Sequence, residues 1–423
     1  MSAMQIQTVN TAPSQPHQWI KTLGRALILM FFPGAGLAIA QNLDGLGDQF
    51  ANRSAENERA MRTAISEIES QHGAYGEQLT EQMLSLGLVL QQQGRHSEAL
   101  STFKRGVHLA RINQGLYTPE QIPLLEGEIK SAIALGDYDL VYELQEYLYR
   151  VQDRSMPAGV ARAKVLLQQA DWHFEAYQLQ VGPTGPERLL NMWDLYRGAW
   201  EDIRNIEGNT SLNLLTPLYG LLRTQYLISQ YHASNDGSSS SGHAGYKHPS
   251  VNRFYAHRAQ NFELGSSVIQ TIYNIQRENH GASSEQAANA LVSLGDWQMW
   301  YEKRDKATET YRFALAELAQ QDADQQKVED LLEKPVPLPD MNGLSALPAP
   351  VSTDRGDILL EFGINSRGRV VDLTRLDDND EMDSSAIRLM RNLRATKFRP
   401  RFENGEPVET DKLVRAYEIT ASK

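Results

Sequence analysis

Histidines are the residues of this chain whose chemistry most invites a metal-site interpretation. His232, His243, His248 and His257 lie in or beside a Ser/Gly-rich stretch, residues 234–250. No two of them have the spacing of a His-x-x-x-His helix site, and a solvated loop offers nothing rigid to hold a closed coordination shell. The sequence therefore predicts a flexible surface loop here, with no metal site.

Two charged runs near the C-terminus are the next candidates. Residues 377–383 hold five acidic side chains but lack the central Gly and the distal Glu of a calcium-binding EF-hand loop. The run instead indicates a solvated helix entry with Asp383 as the N-cap. Residues 388–401 carry six basic side chains and no acidic one. This basic run fits a negatively charged partner, an acidic surface of its own chain, or a plain solvated helix face.

Catalytic constellations are not recognisable in the sequence. We find no nucleophile elbow, no phosphate-binding glycine loop, no zinc spacing and no Ser-His-Asp set that can be placed. The chain contains no cysteine, which excludes disulfides and cysteine nucleophiles. Its net charge of −12 argues against nonspecific nucleic-acid binding as the main activity. The sequence predicts a binding protein without cofactors rather than an enzyme.

The elements that would present a binding surface are pairs of helices between residues 53 and 320. In the best-formed pair, residues 79–113, Gly87 lies in the first helix, Gly94 at the turn and Phe103 in the second helix. Small residues let two antiparallel helices approach closely, and the aromatic ring fills the space beside them. The spacing therefore predicts a helical hairpin that can stack on copies of itself.

A second clear copy of this pattern occupies residues 287–318, with Gly295 and Tyr311 at the same separation, and weaker copies lie between the two. These units resemble tetratricopeptide repeats, whose helix pairs stack into a solenoid with a concave binding face. The resemblance implies a mainly α fold with a divergent TPR-like α-solenoid over residues 41–333. Such a solenoid would bind extended peptides or a partner's helix. The tryptophans are expected to pack between the helices rather than line a ligand groove.

The C-terminal segment, residues 354–423, changes to the periodicity of strands. Apolar residues alternate over 358–364, a tight turn follows in which Gly368 is free to adopt positive φ, and a second strand begins at Val370. A helix and a closing strand, residues 413–420, complete the segment. The pattern predicts a small α+β domain of order ββαβ.

The end of this domain carries a Phe398-x-Pro400 step and a Gly405-x-Pro407-Val408 turn. With the preceding hairpin and helix, this ordered set resembles the C-terminal domain of TonB-family proteins. The resemblance implies that the domain contacts the periplasmic face of outer-membrane receptors. Contact would come through addition of a partner strand to an unpaired sheet edge.

The closing strand is the candidate edge of that sheet, and two arginines just before it are candidate charge contacts. We therefore predict partner binding through these residues: Lys412, Leu413, Val414, Arg415, Ala416, Tyr417, Arg399 and Arg401. No catalytic, cofactor-binding or metal-binding residue is predicted.

Residues 1–40 are predicted to be a signal peptide. Lys21 and Arg25 precede an apolar run, residues 26–40, which ends in a small-x-small cleavage site before Gln41. The run is shorter than the roughly 20 residues needed to span a bilayer. The expectation is export to the periplasm with cleavage after position 40.

A proline-rich linker, residues 334–353, joins the two predicted domains. Together these features predict a periplasmic adaptor whose solenoid holds one partner while the TonB-like domain holds another. Two alternatives stay open. One is a membrane-anchored TonB-like energy transducer that retains its N-terminal segment. The other is an envelope scaffold or chaperone that acts through the solenoid alone, with the small domain docked on it.

Overall fold

The structure of the 423-residue chain is a computed structural model. The structure describes residues 37–182, 185–231, 249–319, 328, 330–345 and 347–418. The chain divides into two units at Ser66, and the second unit runs from Glu67 to Lys423. The predicted signal peptide lies outside the described residues except for its last four positions, which are helical, and so does the predicted loop except for Pro249 and Ser250.

The fold is mainly α, as the sequence predicts, with thirteen α-helices in the described part of the chain. They are α1 (Leu37–His72), α2 (Leu79–Gln92), α3 (His96–Gln114), α4 (Gln121–Leu135), α5 (Tyr138–Ser155), α6 (Val160–Gln178), α7 (Pro186–Glu207), α8 (Leu215–Gln230), α9 (Pro249–Ala259), α10 (Asn261–His280), α11 (Glu285–Trp300), α12 (Arg304–Leu318) and α13 (Asp383–Ala395).

From α2 to α12 the helices form a TPR-like solenoid in which each helix packs mainly on its neighbours along the chain. The pairs are α2/α3, α4/α5, α6/α7, α8/α10 and α11/α12, while the short α9 is an extra helix against α7 and α10. We call the surface formed by the first helix of each pair (α2, α4, α6, α8, α11) the inner face. Stacked helix pairs of this kind build extended binding surfaces.

The predicted glycine–aromatic contacts are confirmed within the pairs. Gly87 of α2 lies so close to the ring of Phe103 in α3 that a Cβ would overlap it, and Gly295 of α11 meets Tyr311 of α12 in the same way. Phe103 also touches Gly127 of the next pair, where a Cβ would lie 2.7 Å from the ring. One aromatic ring therefore fixes both the closure of its own pair and the stacking of the next.

The C-terminal region contains seven short strands in the described residues, β1 (Val336–Pro337), β2 (Ile358–Ile364), β3 (Val370–Arg375), β4 (Phe398–Arg399), β5 (Arg401–Glu403), β6 (Glu406–Val408) and β7 (Thr410–Tyr417). They form antiparallel ladders in the orders β3-β2-β7, β1-β4 and β5-β6. With α13 packed on β3, this reproduces the predicted ββαβ order and adds the short ladders.

The two predicted turns are present, each with a glycine at positive φ. Gly368 has φ +69°, and its carbonyl accepts a hydrogen bond from the amide of Phe398, which brings the hairpin against β4. Asn404 and Gly405, at φ +51° and +78°, form the β5-β6 hairpin turn. These turns are readable from sequence because few residue types adopt such φ values.

The predicted N-cap role of Asp383 is wrong. α13 begins at Asp383 itself, so that its carboxylate lies in the first turn, and Arg375 donates to that carboxylate at 2.5 Å. Arg375 also donates to Asp377, whose other oxygen accepts from the backbone N–H of Leu359 at 2.7 Å. The acidic run therefore fastens β3 to β2 and to α13 instead of capping the helix.

Candidate protein-interaction surfaces

The basic run meets the solenoid at a buried ion pair. Arg399 of β4 is 6% exposed and donates through Nη1 to Oδ2 of Asp296 in α11 at 2.7 Å. Tyr311 of α12 donates to the other oxygen of Asp296, also at 2.7 Å. Arg399 reaches Asp340 at 3.4 Å as well. The pair, 103 residues apart in sequence, fixes the C-terminal domain to the last helix pair.

Burial and the charge of the partner have opposite effects on the pKa of each residue in this pair. Burial raises the pKa of Asp296 to about 6, although the Arg399 guanidinium and the Tyr311 hydroxyl both favour the carboxylate. Burial alone would lower the pKa of Arg399, but Asp296, Tyr311 and Asp340 together raise it, and the net pKa lies above the ordinary value. Arg399 thus keeps its charge, and removing either partner would leave the other buried without compensation.

A second contact surrounds Glu302, just after α11. Lys397 lies 3.0 Å from its carboxylate, donates to the Trp300 carbonyl at 2.5 Å, and stands over the Trp300 ring. Arg369 of the β2-β3 turn contacts the same carboxylate at 2.5 Å. Desolvation works to raise the pKa of Glu302, but the hydrogen bond and charge of Lys397, with Arg369, lower it overall.

The third contact is made by the β5-β6 hairpin on α12. The Phe402 ring packs edge-on against Tyr311, 5.2 Å between centroids, and its backbone N–H donates to the Leu332 carbonyl at 2.9 Å. Arg312 donates to the Gly405 carbonyl at 2.9 Å and to Glu406 at 2.6 Å. An apolar anchor ringed by polar bonds is the usual construction of a specific interface.

Residues 334–353, predicted as a linker, lie against both parts of the protein. β1 pairs with β4, and the Leu338 N–H donates to the Lys397 carbonyl at 2.8 Å. The segment then crosses to the inner face, where Met341–Leu344 form a tight turn that we call the inner turn. The Val351 N–H returns to the C-terminal domain, donating to Ala416 of β7 at 2.8 Å.

The inner turn covers part of the second half of the inner face. Gln178 of α6 donates to the Gly343 carbonyl at 2.8 Å, and the Phe174 ring lies directly beside Gly343. Leu344 is 8% exposed and joins a core cluster that contains Phe174 and Trp297. This part of the inner face is therefore already occupied by the chain itself.

Clefts open at both ends of the inner face as far as its residues are described. The first, about 410 Å³ between α2 and α4, has an apolar floor that includes Leu84 and Leu124 and acidic residues Glu77, Glu81 and Glu120. The second, about 370 Å³, lies between α8 and α11 beside the inner turn, and its lining includes Tyr219, Arg223, Tyr226, Asp296 and Asp340. Both are open clefts of a size that can hold a segment of another chain.

The predicted edge strand is β7, which pairs with β2 and lies at one edge of the three-stranded sheet. Lys412 has φ +53°, beside the register shift near Gly363, and the carbonyl of Ala416 is taken by Val351. A bulge and a charged side chain are common ways of blunting an edge. The regular outer edge is therefore short, residues 413–415.

The predicted partner-binding residues thus fall into separate environments. Lys412 and Arg415 are exposed, Leu413 and Val414 are half-buried, and Ala416 and Tyr417 are buried. Arg401 is half-buried and bonded to Glu403 at 2.6 Å. Arg399 is enclosed in the domain junction instead of facing outward. Partner binding by this set stays a prediction. Of its residues on β7, only 412–415 are exposed or half-buried.

Sequence reasoning missed the residues that receive the C-terminal domain, chiefly Asp296, Trp300, Glu302 and Gln178. The sequence did contain one signal. Asp296 directly follows Gly295, the residue that packs against Tyr311 of the next helix. A buried acidic side chain usually has a basic partner, and the basic run, residues 388–401, offered candidates for that partner. Sequence alone could not choose between its six basic residues.

In the described part of the chain, no group of three or more His, Asp or Glu side chains is arranged to hold a metal ion. Nor is any helix there both long and apolar enough to cross a membrane.

No protein-family model and no curated protein matches this chain. Among solved structures, the nearly identical TPR-like repeats described for a kinesin light chain of Podosopora anserina superpose with a TM-score of 0.34 at 13% identity, over 57% of this chain and 95% of that one. BtubC (BKLC) from P. vanneervenii gives a TM-score of 0.33 at 12% identity, over 63% and 89% of the two chains. Scores this low carry no argument about partners or activity.

Proposed function

We propose that this protein is a non-enzymatic protein-interaction scaffold whose solenoid binds its partner through the first half of the inner face. The observation that carries the proposal is the contrast between the two ends of that face. The C-terminal domain and the inner turn occupy the end around α6, α8 and α11, whereas the cleft between α2 and α4 is open in the part of the chain that the structure describes. The docked domain supports the scaffold alternative of the sequence analysis.

Charge supports a basic partner segment at the open cleft. Residues 67–160 contain 7 Lys and Arg against 13 Asp and Glu, so 7 − 13 gives a net charge of −6 for the first two helix pairs. Glu77, Glu81 and Glu120 stand at the cleft itself, above an apolar floor. An extended segment with lysines or arginines spaced by apolar residues would complement both features.

Photo-crosslinking in the full-length chain tests this proposal. A photoreactive phenylalanine analogue at Leu84, in the cleft, should give a protein adduct in native cells, and one at the exposed Ile112 of α3 should not. The double charge reversal Glu81→Lys with Glu120→Lys should abolish the Leu84 adduct. Equal adducts at both positions, or adducts that survive charge reversal, would overturn the proposal.

The finer features inferred from sequence belong to the same proposal. We propose export to the periplasm and a second partner, of the outer-membrane receptor type, that adds a strand to β7. The support is the ββαβ order and the place of β7 at the sheet edge, where residues 413–415 lie between the Lys412 bulge and the Val351 bridge and the Val414 carbonyl accepts from the exposed Arg415 side chain. Crosslinking from Arg415 to an envelope protein, lost when Val414 is changed to proline, would support strand addition; an adduct that persists would count against it.

A further inference from the structure

The inner turn leaves the C-terminal domain and comes back to it. The chain is tied to that domain at Leu338, through the Lys397 carbonyl, and again at Val351, through the Ala416 carbonyl. Leu347, between these ties, lies in the domain's own core. The residues around Gly343 therefore project from the domain onto the solenoid and return, as a recognition loop does.

The geometry of the turn is specific. The Leu344 N–H donates to the Met341 carbonyl at 3.1 Å, and Gly343 has φ +82°, a left-handed conformation that glycine adopts without strain. A Cβ at Gly343 would lie 3.0 Å from the Phe174 ring. Both the backbone conformation and the limited space beside the ring thus favour glycine at position 343.

The solenoid contacts the turn with groups that do not depend on the covalent connection. The side chain of Gln178 in α6 donates a hydrogen bond to the Gly343 carbonyl. Leu344 belongs to the apolar cluster that contains Phe174, and the partly buried Met341 packs against the same cluster. The turn is thus held by one side-chain hydrogen bond to its backbone and by apolar packing of two of its residues on a single cluster.

The turn does not fill the groove. Beside Met341 and Asn342 the cleft of about 370 Å³ stays open between α8 and α11, lined also by Tyr219, Arg223 and Ser293. A longer segment from another protein could make the contacts of the inner turn and additional ones in this cleft.

We infer that the inner face of α6, α8 and α11 is a binding surface for turns of the type apolar-Asn-Gly-apolar, occupied in cis by Met341–Leu344. The partner is a loop of another protein that presents such a turn and displaces the resident one. This inference rests on the proposed function and adds a second, self-covered site to the open cleft. Because the resident turn competes, the apparent affinity for the partner is the intrinsic affinity multiplied by the fraction of molecules in which the turn is displaced.

Peptide titration of the full chain tests the inference. The probe is a fluorescein-labelled peptide with the sequence of residues 337–348. The chain carrying Gly343→Val and Leu344→Asp has a disabled resident turn but an intact groove, since neither residue belongs to the solenoid. Fluorescence anisotropy should show this variant binding the peptide at least tenfold more tightly than the wild type does.

Two controls make the result specific. We call the chain with Gly343→Val and Leu344→Asp the loosened chain. Adding Gln178→Ala to it should weaken peptide binding about fivefold, the range expected for one lost hydrogen bond. A probe that itself carries the Gly343→Val change should bind at least tenfold more weakly. A loosened chain that keeps the wild-type circular dichroism yet does not bind the probe would overturn the inference, as would equal binding of both probes.

Other outcomes are also decisive. If the double variant does not fold, Leu344→Ala gives a milder loosening, and the same titration applies to it. If the loosened chain dimerises on sizing and the dimer excludes the probe, the surface serves a second copy and the partner assignment is wrong. None of these results touches the crosslink from Leu84, so failure here is distinguishable from failure of the scaffold proposal.

Discussion

The two ends of the inner face are built alike but differ in what lies on them. Gly87 with Phe103 and Gly295 with Tyr311 close the first and last helix pairs by the same contact. Around the first pair the surface is open and acidic, whereas the last pair receives Arg399, Phe402 and the neighbouring inner turn. The comparison teaches that a repeat fold sets the shape of a surface, while single residues such as Asp296 decide what occupies it.

Breaking the buried pair of Arg399 and Asp296 at the covered end should cause the largest loss of stability. We expect Arg399→Met to reduce the free energy of unfolding by about 3–5 kcal/mol at pH 8, because Asp296 is left buried and charged. Arg401→Met, which removes only a half-exposed pair, should cost less than about 1 kcal/mol. Urea unfolding followed by circular dichroism measures both values.

The loss caused by Arg399→Met should depend on pH. With Arg399 present, burial raises the pKa of Asp296 to about 6 in the folded protein, against an ordinary value of 3.8, and because Arg399 lowers this pKa, its removal should raise it further. A raised folded pKa gives stability that is fully present below the ordinary value and is lost as the pH rises through the folded value. The variant should therefore be less impaired at pH 5 than at pH 8, and a loss that does not change with pH would show that Asp296 is not the group left uncompensated.

Filling the matched glycines should break the two ends equally. Gly87→Val and Gly295→Val both place methyl groups into an aromatic ring, and overpacking of this kind costs about 1–3 kcal/mol or more. Gly185→Ala is the control, since a Cβ there meets nothing within 4 Å. Only Gly295→Val should also make the C-terminal domain sensitive to limited proteolysis, and the same sensitivity in Gly87→Val would contradict the assignment of that domain to the far end.

Acid should weaken the covered end through His173 of α6. Burial and the charge of Arg188 lower its pKa to about 4, and Glu146, 3.6 Å from Nε2, does not reverse this. A lowered folded pKa gives stability above the ordinary 6.5 that is lost as the pH falls toward 4, by up to about 3 kcal/mol. His173→Gln should flatten the loss of thermal stability between pH 6.5 and 4, and an unchanged slope would rule out this residue as the cause.

At the open end the pH dependence should be reversed: stability should fall as the pH rises, because of Glu128 in α4. Burial raises its pKa to about 7, against an ordinary 4.5, although Lys104 opposes the shift. The stability it contributes is present below pH 4.5 and is lost as the pH rises through 7. Hydrogen exchange in α4 should become slower at pH 8 in Glu128→Gln, with α6 unaffected. Faster exchange in α4 would mean that the ionised carboxylate is stabilised by its surroundings.

What sequence could predict is what short-range physics decides. The glycine–aromatic spacing predicted the helix pairs, and the alternation over 358–364 with the turn at Gly368 predicted the hairpin, because each depends on residues close in the chain. The prediction that Asp383 is the N-cap was wrong, because α13 already begins at Asp383, whose carboxylate accepts a hydrogen bond from Arg375.

The junction and the inner turn could not be predicted, for a different reason. Asp296 and Arg399 are 103 residues apart, and Gln178 and Gly343 are 165 apart. No local pattern links such residues, and the sequence alone is compatible with any of the six basic residues of 388–401 as the partner of Asp296. Only the stacking of the helix pairs brings the partners within hydrogen-bonding distance.

Docking of the C-terminal domain on the covered end is the central claim, and a distance measurement tests it most directly. The chain has no cysteine, so Ile206→Cys on α7 and Ile387→Cys on α13, both exposed positions, accept spin labels without background. Double electron–electron resonance should give one narrow distance distribution in the full-length chain, which Arg399→Met broadens. A broad distribution in the otherwise unaltered chain would show that the domain moves independently of the solenoid, and would contradict the account.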